Sequence, residues 1–148
     1  MNPSLPRKQK GAAAIEFALV FLIFFAVFYG LVSYCLPLLM MQSFHEATAE
    51  ALRRSVAVDP VAAGSGYTSL VQTTAVQAAS TRLLWIPSSF NFTAANNITA
   101  LYTGGILTVT ITYPTSQLRN VLPFLVLPGV GTVPSLPTNL TVTSSLQF

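Results

Sequence analysis

A chain of 148 residues allows one domain of modest size. With 52% hydrophobic and 7% charged residues, it is far poorer in charge than the roughly 25% of an ordinary soluble domain. The net charge of +3 comes from the N-terminal cluster Arg7, Lys8 and Lys10; beyond it, Arg53, Arg54, Arg82 and Arg119 balance Glu16, Glu46, Glu50 and Asp59, which excludes the electrostatic footprint of nucleic-acid binding.

Residues 1–11 read as a basic, unstructured leader interrupted by Pro3 and Pro6. Gly11 and three alanines follow, then Glu16, and no further charge appears until Glu46, a span of 29 residues. That exceeds the roughly 18 apolar residues that suggest a membrane helix. By the positive-inside rule, Arg7, Lys8 and Lys10 hold the N-terminus in the cytoplasm and send the C-terminal part across. Glu16 would cost about 2.5–3.5 kcal/mol at the bilayer centre, so the position calls for a use of the charge. A cleaved secretory signal places its small residues after an apolar region of about 7–15 residues; here they precede a much longer one.

The wording Gly11, Ala12-Ala13-Ala14-Ile15, Glu16-Phe17 and then a long apolar helix resembles the processing site of prepilins. The run AAAIEFAL behind a short basic leader is most similar to TadE-like minor pilins, or pseudopilins, of Tad-type pili, which are related to type IV pili. The resemblance implies cleavage between Gly11 and Ala12 by a prepilin peptidase. Ala12 is then the first mature residue and Glu16 the fifth. It also implies that Glu16 and Phe17 serve subunit assembly, with other pilin subunits and an inner-membrane pilus assembly platform as partners.

The first helix is expected from Ala12 to about Val58. Its part 12–41 is apolar on every side, as a membrane span requires, and Pro37 should kink it by removing a donor and crowding the preceding turn. Cys35 reads as a small buried side chain in this run. As the sole cysteine it excludes an intrachain disulfide. Residues 42–59 continue as an amphipathic helix, with Met41, Phe44, Thr48, Ala51, Leu52 and Ser55 on one stripe and His45 on the surface. Ala47, Ala49 and Ala51 would admit another backbone closely. Glu50 and Arg54 form a favourable pair worth about 0.2–0.5 kcal/mol. Asp59-Pro60 is the stop.

Residues 60–148 read as an extracytoplasmic α+β head. Gly64-Ser65-Gly66 is a turn, and a second helix fits Thr68–Leu84, with Val71, Ala75, Ala78 and Arg82 on one face and Ser65 or Thr68 placed to cap it. Trp85-Ile86-Pro87 closes it. Phe90–Thr93 reads weakly as strand. Ile98–Tyr102 and Ile106–Tyr113 flank Thr103-Gly104-Gly105, a hairpin turn. Leu107, Val109, Ile111 and Tyr113 alternate with threonines, so one face is buried and one wet. The C-terminal strand repeats this with Leu140, Val142, Leu146 and Phe148, and the two strands should share one sheet. Between them Pro114–Pro137 is a long proline-rich loop, a length that usually has a task. Its apolar part, 121–130, would lie on the core, the membrane or a partner. Sequons at Asn91, Asn97 and Asn139 mark exposed segments.

Nothing here reads as an enzyme. One histidine and one cysteine make no metal ligand set, there is no G-x-S-x-G, and Gly64-x-Gly66 and Gly129-x-Gly131 lack the setting of phosphate loops. No cofactor is implied. The expected fold is α+β: a long transmembrane helix extending into an amphipathic stalk, packed on a small antiparallel pilin-like head. The expected function is a minor pilin of a Tad-type pilus, a single-pass inner-membrane protein with its N-terminus cytoplasmic that can pass into an extracellular pilus. The alternative is an uncleaved, membrane-anchored extracytoplasmic binding domain.

Overall fold

The structure is a computed structural model and describes residues 9–127 and 131–148. Helix α1 runs from Gln9 to Val56. It starts three residues earlier than the sequence suggests, so the end of the leader, Gly11 included, is helical. Pro37 lies inside α1, which continues through it as one element. Arg53 and Arg54 occupy the last turn, where cations favour the helix dipole. The chain then turns, and Asp59 caps the short α2 (Pro60–Ala63), accepting a hydrogen bond from the Val61 N–H at 2.8 Å, with Pro60 in the first helical position.

Helix α3 (Tyr67–Arg82) packs back along α1. The two run antiparallel: the Ser55 hydroxyl donates to the Val71 carbonyl at 3.3 Å, while Arg82 lies beside Glu50. Ala47 and Ala51 on α1 and Ala75, Ala78 and Ala79 on α3 are buried in one cluster, and the missing bulk lets the helices approach. Ala49, expected on the same small face, is exposed. No side chain caps α3, contrary to the reading of Ser65 and Thr68; its N-cap is Gly66.

Phe90–Thr93 is not strand. A 3-10 turn covers Ser88–Phe90, and α4 (Ala94–Asn97) follows shortly after. The backbone there bonds to side chains instead of a ladder. The buried Tyr113 hydroxyl donates to the Phe90 carbonyl at 2.9 Å, and Asn97 accepts from the Thr93 N–H at 2.9 Å while donating to the Thr112 carbonyl at 2.8 Å.

The sheet has three antiparallel strands, β1 (Ile98–Thr103), β2 (Ile106–Pro114) and β5 (Asn139–Gln147), with β2 in the centre. Gly104 and Gly105, at φ 60° and 79°, make the two-residue turn between β1 and β2. Positive φ at both positions matches the twist of a tight hairpin and is open to glycine without strain. Leu107, Val109, Ile111 and Tyr113 are fully buried beneath α1 and α3; α1 covers β5 and β2, and α3 covers β1. Phe44, Phe92 and Tyr113 form an aromatic centre with ring centroids 5.9–6.5 Å apart. In β5, Leu140 and Val142 are buried but Leu146 is exposed, because the helices cover only the start of that strand's apolar face.

The segment between β2 and β5 carries more structure than a plain loop. It holds α5 (Thr115–Leu118) and a small antiparallel pair, β3 (Leu125–Leu127) and β4 (Gly131–Val133). The Thr115 hydroxyl, 2.7 Å from the Pro137 carbonyl and 2.9 Å from that of Thr138, pins its two ends together. The architecture is α+β, a long apolar N-terminal helix packed on a small antiparallel sheet.

Candidate functional site

The residues singled out for processing and assembly lie on the first turns of α1. Gly11 and Ala12 are exposed, and a side chain built on Gly11 would meet nothing within 4 Å. Glu16 is exposed one turn on, on the same face as Ala12. No ion pair to Glu16 forms among the described residues. Phe17, beside it, is 70% exposed and begins a ladder of i,i+4 ring contacts, Phe17–Phe21–Phe25–Tyr29, with centroids 6.0–6.4 Å apart. Arg7 and Lys8 lie outside the described residues; Lys10 falls in the first turn of α1.

From Gly11 to Val32 the helix is exposed apart from half-buried Ala26, Tyr29 and Gly30. It is the one helix among the described residues long and apolar enough to cross a membrane. Cys35, expected to be buried, is exposed. The change comes at Ser33. From there Ser33, Pro37, Met40, Phe44, Ala47, Ala51 and Ser55 are buried at steps of three and four, so one face of α1 becomes the cover of the sheet. This stripe begins deeper in the apolar run than the amphipathic pattern from Met41 indicates, because an all-apolar segment carries no mark of which face will be covered.

Two tyrosines tie this upper part of the helix to the head. The Tyr29 hydroxyl donates to the Pro123 carbonyl, and the Tyr34 hydroxyl accepts from the Ser135 N–H at 2.8 Å. Higher up, the Thr48 and Ser144 hydroxyls lie 2.9 Å apart, fixing α1 against β5.

Glu50 gathers most of the remaining charge. Its side chain is 8% exposed. Arg53 donates to both carboxylate oxygens at 2.8 and 2.9 Å, Arg54 donates through Nε at 2.7 Å, and Arg82 stands 3.8 Å away. Hydrogen bonds from Arg53 and then Arg54 hold the Glu50 carboxyl down to about 2 against the opposing effect of burial. The sequence pattern supplies the Arg54 pair but misses Arg53 and Arg82. Arg82 ends the face that Val71, Ala75 and Ala78 bury on α3; its side chain remains half exposed and reaches Glu50 across the helix pair. The i,i+3 spacing of Glu50 and Arg53 was the available signal.

Among the described residues, no three His, Cys, Asp or Glu side chains come together in a metal-holding group. The arrangement is a bare apolar helix with one carboxylate near its start, packed over its C-terminal half on a small sheet.

Comparison with curated proteins and with solved structures gives no match. Residues 11–53 match the family model described as TadE-like protein, so the segment from Gly11 through the exposed helix and into the stalk carries the signature of the TadE-like family.

Proposed function

We propose that the protein is a minor pilin or pseudopilin of a Tad-type pilus, inserted with its N-terminus in the cytoplasm, cut after Gly11 by a prepilin peptidase, and drawn into pilus assembly or its initiation. The observation that carries this is the placement of Gly11, Ala12 and Glu16 on exposed first turns of a bare apolar helix that lies within the TadE-like match. In this reading, residues 1–11 are the leader, α1 is the single membrane anchor, and the head from Pro60 onward is extracytoplasmic.

Cleavage would create a charged amine on Ala12, four residues from Glu16. Within the bilayer an unpaired carboxylate is costly, and docking against the amine of an adjacent subunit satisfies it. Glu16 then serves as the assembly signal and Phe17 packs beside it. The protein acts as a structural subunit whose partners are other pilins, the peptidase and the assembly platform.

The test is the N-terminus of the protein recovered from cells with active prepilin peptidase. Intact mass and N-terminal sequencing should show a chain beginning at Ala12. A chain still carrying Arg7, Lys8 and Lys10 would overturn the reading and favour an uncleaved anchored domain.

A further inference from the structure

The apolar stretch Val121–Val126 has no part in the three-stranded sheet or in the pilin-like segment; its end, Leu125 and Val126, pairs only with β4. Leu122 and Phe124 pack against the core, but Val121 and Leu125 are more than a third exposed and Val126 is 75% exposed. Its backbone is tied to the membrane helix through Tyr29 and Pro123. Tyr29 lies 17 residues beyond Ala12, about 26 Å at roughly 1.5 Å per residue. The hydrocarbon core is about 30 Å thick. A helix entering that core at Ala12 therefore leaves it near Val32, and one entering at Glu16 leaves it later still. Pro123 is thus held at or below the edge of the hydrocarbon. A carbonyl there has little water and needs a donor, which the Tyr29 hydroxyl supplies. Arg119, with its guanidinium 5.1 Å from the Phe124 ring centroid, is the only charged residue after Arg82. The charge beside the stretch is a lone cation, suited to the phosphate level of a leaflet.

We propose that Val121–Val126, with Arg119 beside it, is a second membrane contact: an apolar foot seated in the leaflet on the head's side, with lipid as its occupant. It rests on α1 spanning a bilayer. The foot fixes the height and rotation of the head above the lipid, which a single helix leaves free.

The full chain carrying Trp85→Phe is reconstituted in vesicles of lipids brominated at defined depths, with one tryptophan placed in turn at Val126, Phe24 or Leu101. Phe24 lies about 18 Å along the helix from Ala12, near the bilayer centre, and Leu101 is exposed on β1, an edge strand of the head's sheet. Val126→Trp should lose fluorescence to bromines near the headgroup end of the acyl chains and Phe24→Trp to deep bromines, with Leu101→Trp unaffected. Quenching of Phe24→Trp while Val126→Trp behaves like Leu101→Trp would overturn the foot and leave the span intact. A blue-shifted but unquenched Val126→Trp that reverts to the red on dilution in lipid would assign the face to a second copy, again overturning it. Loss of quenching at Phe24 as well would remove the spanning helix and the foot with it.

Discussion

The Glu50 carboxylate on α1 and the Arg82 guanidinium near the end of α3 stand 3.8 Å apart, with Arg53 and Arg54 hydrogen-bonded to the same carboxylate. This one acid is enclosed by three of the four arginines that follow the leader, and it links the stalk helix to the helix that folds back along it.

Glu50 therefore sets an acid limit for the joined helices. Its carboxyl is depressed from the ordinary 4.5 to about 2. A group depressed on folding contributes stability in full above its unfolded value, and that contribution is lost as pH falls through the folded one. Thermal melts of the protein in detergent should thus decline between about pH 4.5 and 2. Glu50→Gln should lower the melting temperature at neutral pH and flatten that part of the profile. An unchanged acid limb in Glu50→Gln would show that the cluster contributes no net stability.

Tyr113 sets a corresponding alkaline limit. Burial pushes its hydroxyl up to about 12. A raised group contributes stability that is complete below its unfolded value, near 10, and is lost as pH rises through the folded one. Tyr113→Phe should remove the bond to the Phe90 carbonyl, cost about 1–3 kcal/mol at neutral pH, and weaken the fall in stability between about pH 10 and 12. Denaturant melts across that range check both parts.

The pairing of β2 with β5 predicts that the head depends on its last strand. Truncation at Ser135 removes Leu140 and Val142 and leaves the buried face of the central strand partly uncovered. Ile111→Ala should cost about 2–5 kcal/mol as a buried large-to-small change, and the truncation should abolish cooperative melting. A truncated protein that melts like the intact chain would refute a shared core.

Gly11→Val should leave an uncut precursor that still inserts. The position is open on the helix surface, so the added side chain does not disturb the fold, and any block arises at the peptidase, where an extended backbone must enter past a residue without a Cβ. Mature-length protein in this mutant would remove Gly11 as the processing determinant.

Glu16→Ala should insert and be cut nearly normally, yet lose co-purification with partner pilins and reduce pilus number. Glu16→Asp should be partly defective, since its shorter arm reaches less far. Full partner recovery with Glu16→Ala would leave Glu16 as an acid favouring the helix start only.

Local pattern by itself determined the long apolar helix, the Gly11–Glu16 motif, the Gly104-Gly105 hairpin and the alternation of Leu107, Val109, Ile111 and Tyr113 with threonines. Each is written in residues a few positions apart, through the periods of helix and strand. Only the tertiary structure decided where the bare helix becomes stalk, because Ser33 and Pro37 lie in a run whose faces are equally apolar. Phe90–Thr93 left the strand pattern because Tyr113 and Asn97 take its backbone groups, and Arg82 joined Glu50 because α3 doubles back on α1. The apolar loop 121–130 admits three covers by its sequence; the tie of Pro123 to Tyr29 sets its first part beside the exposed apolar run of α1. These outcomes depend on contacts between residues far apart in the chain, where burial and hydrogen bonding are settled by packing and local propensity carries no information.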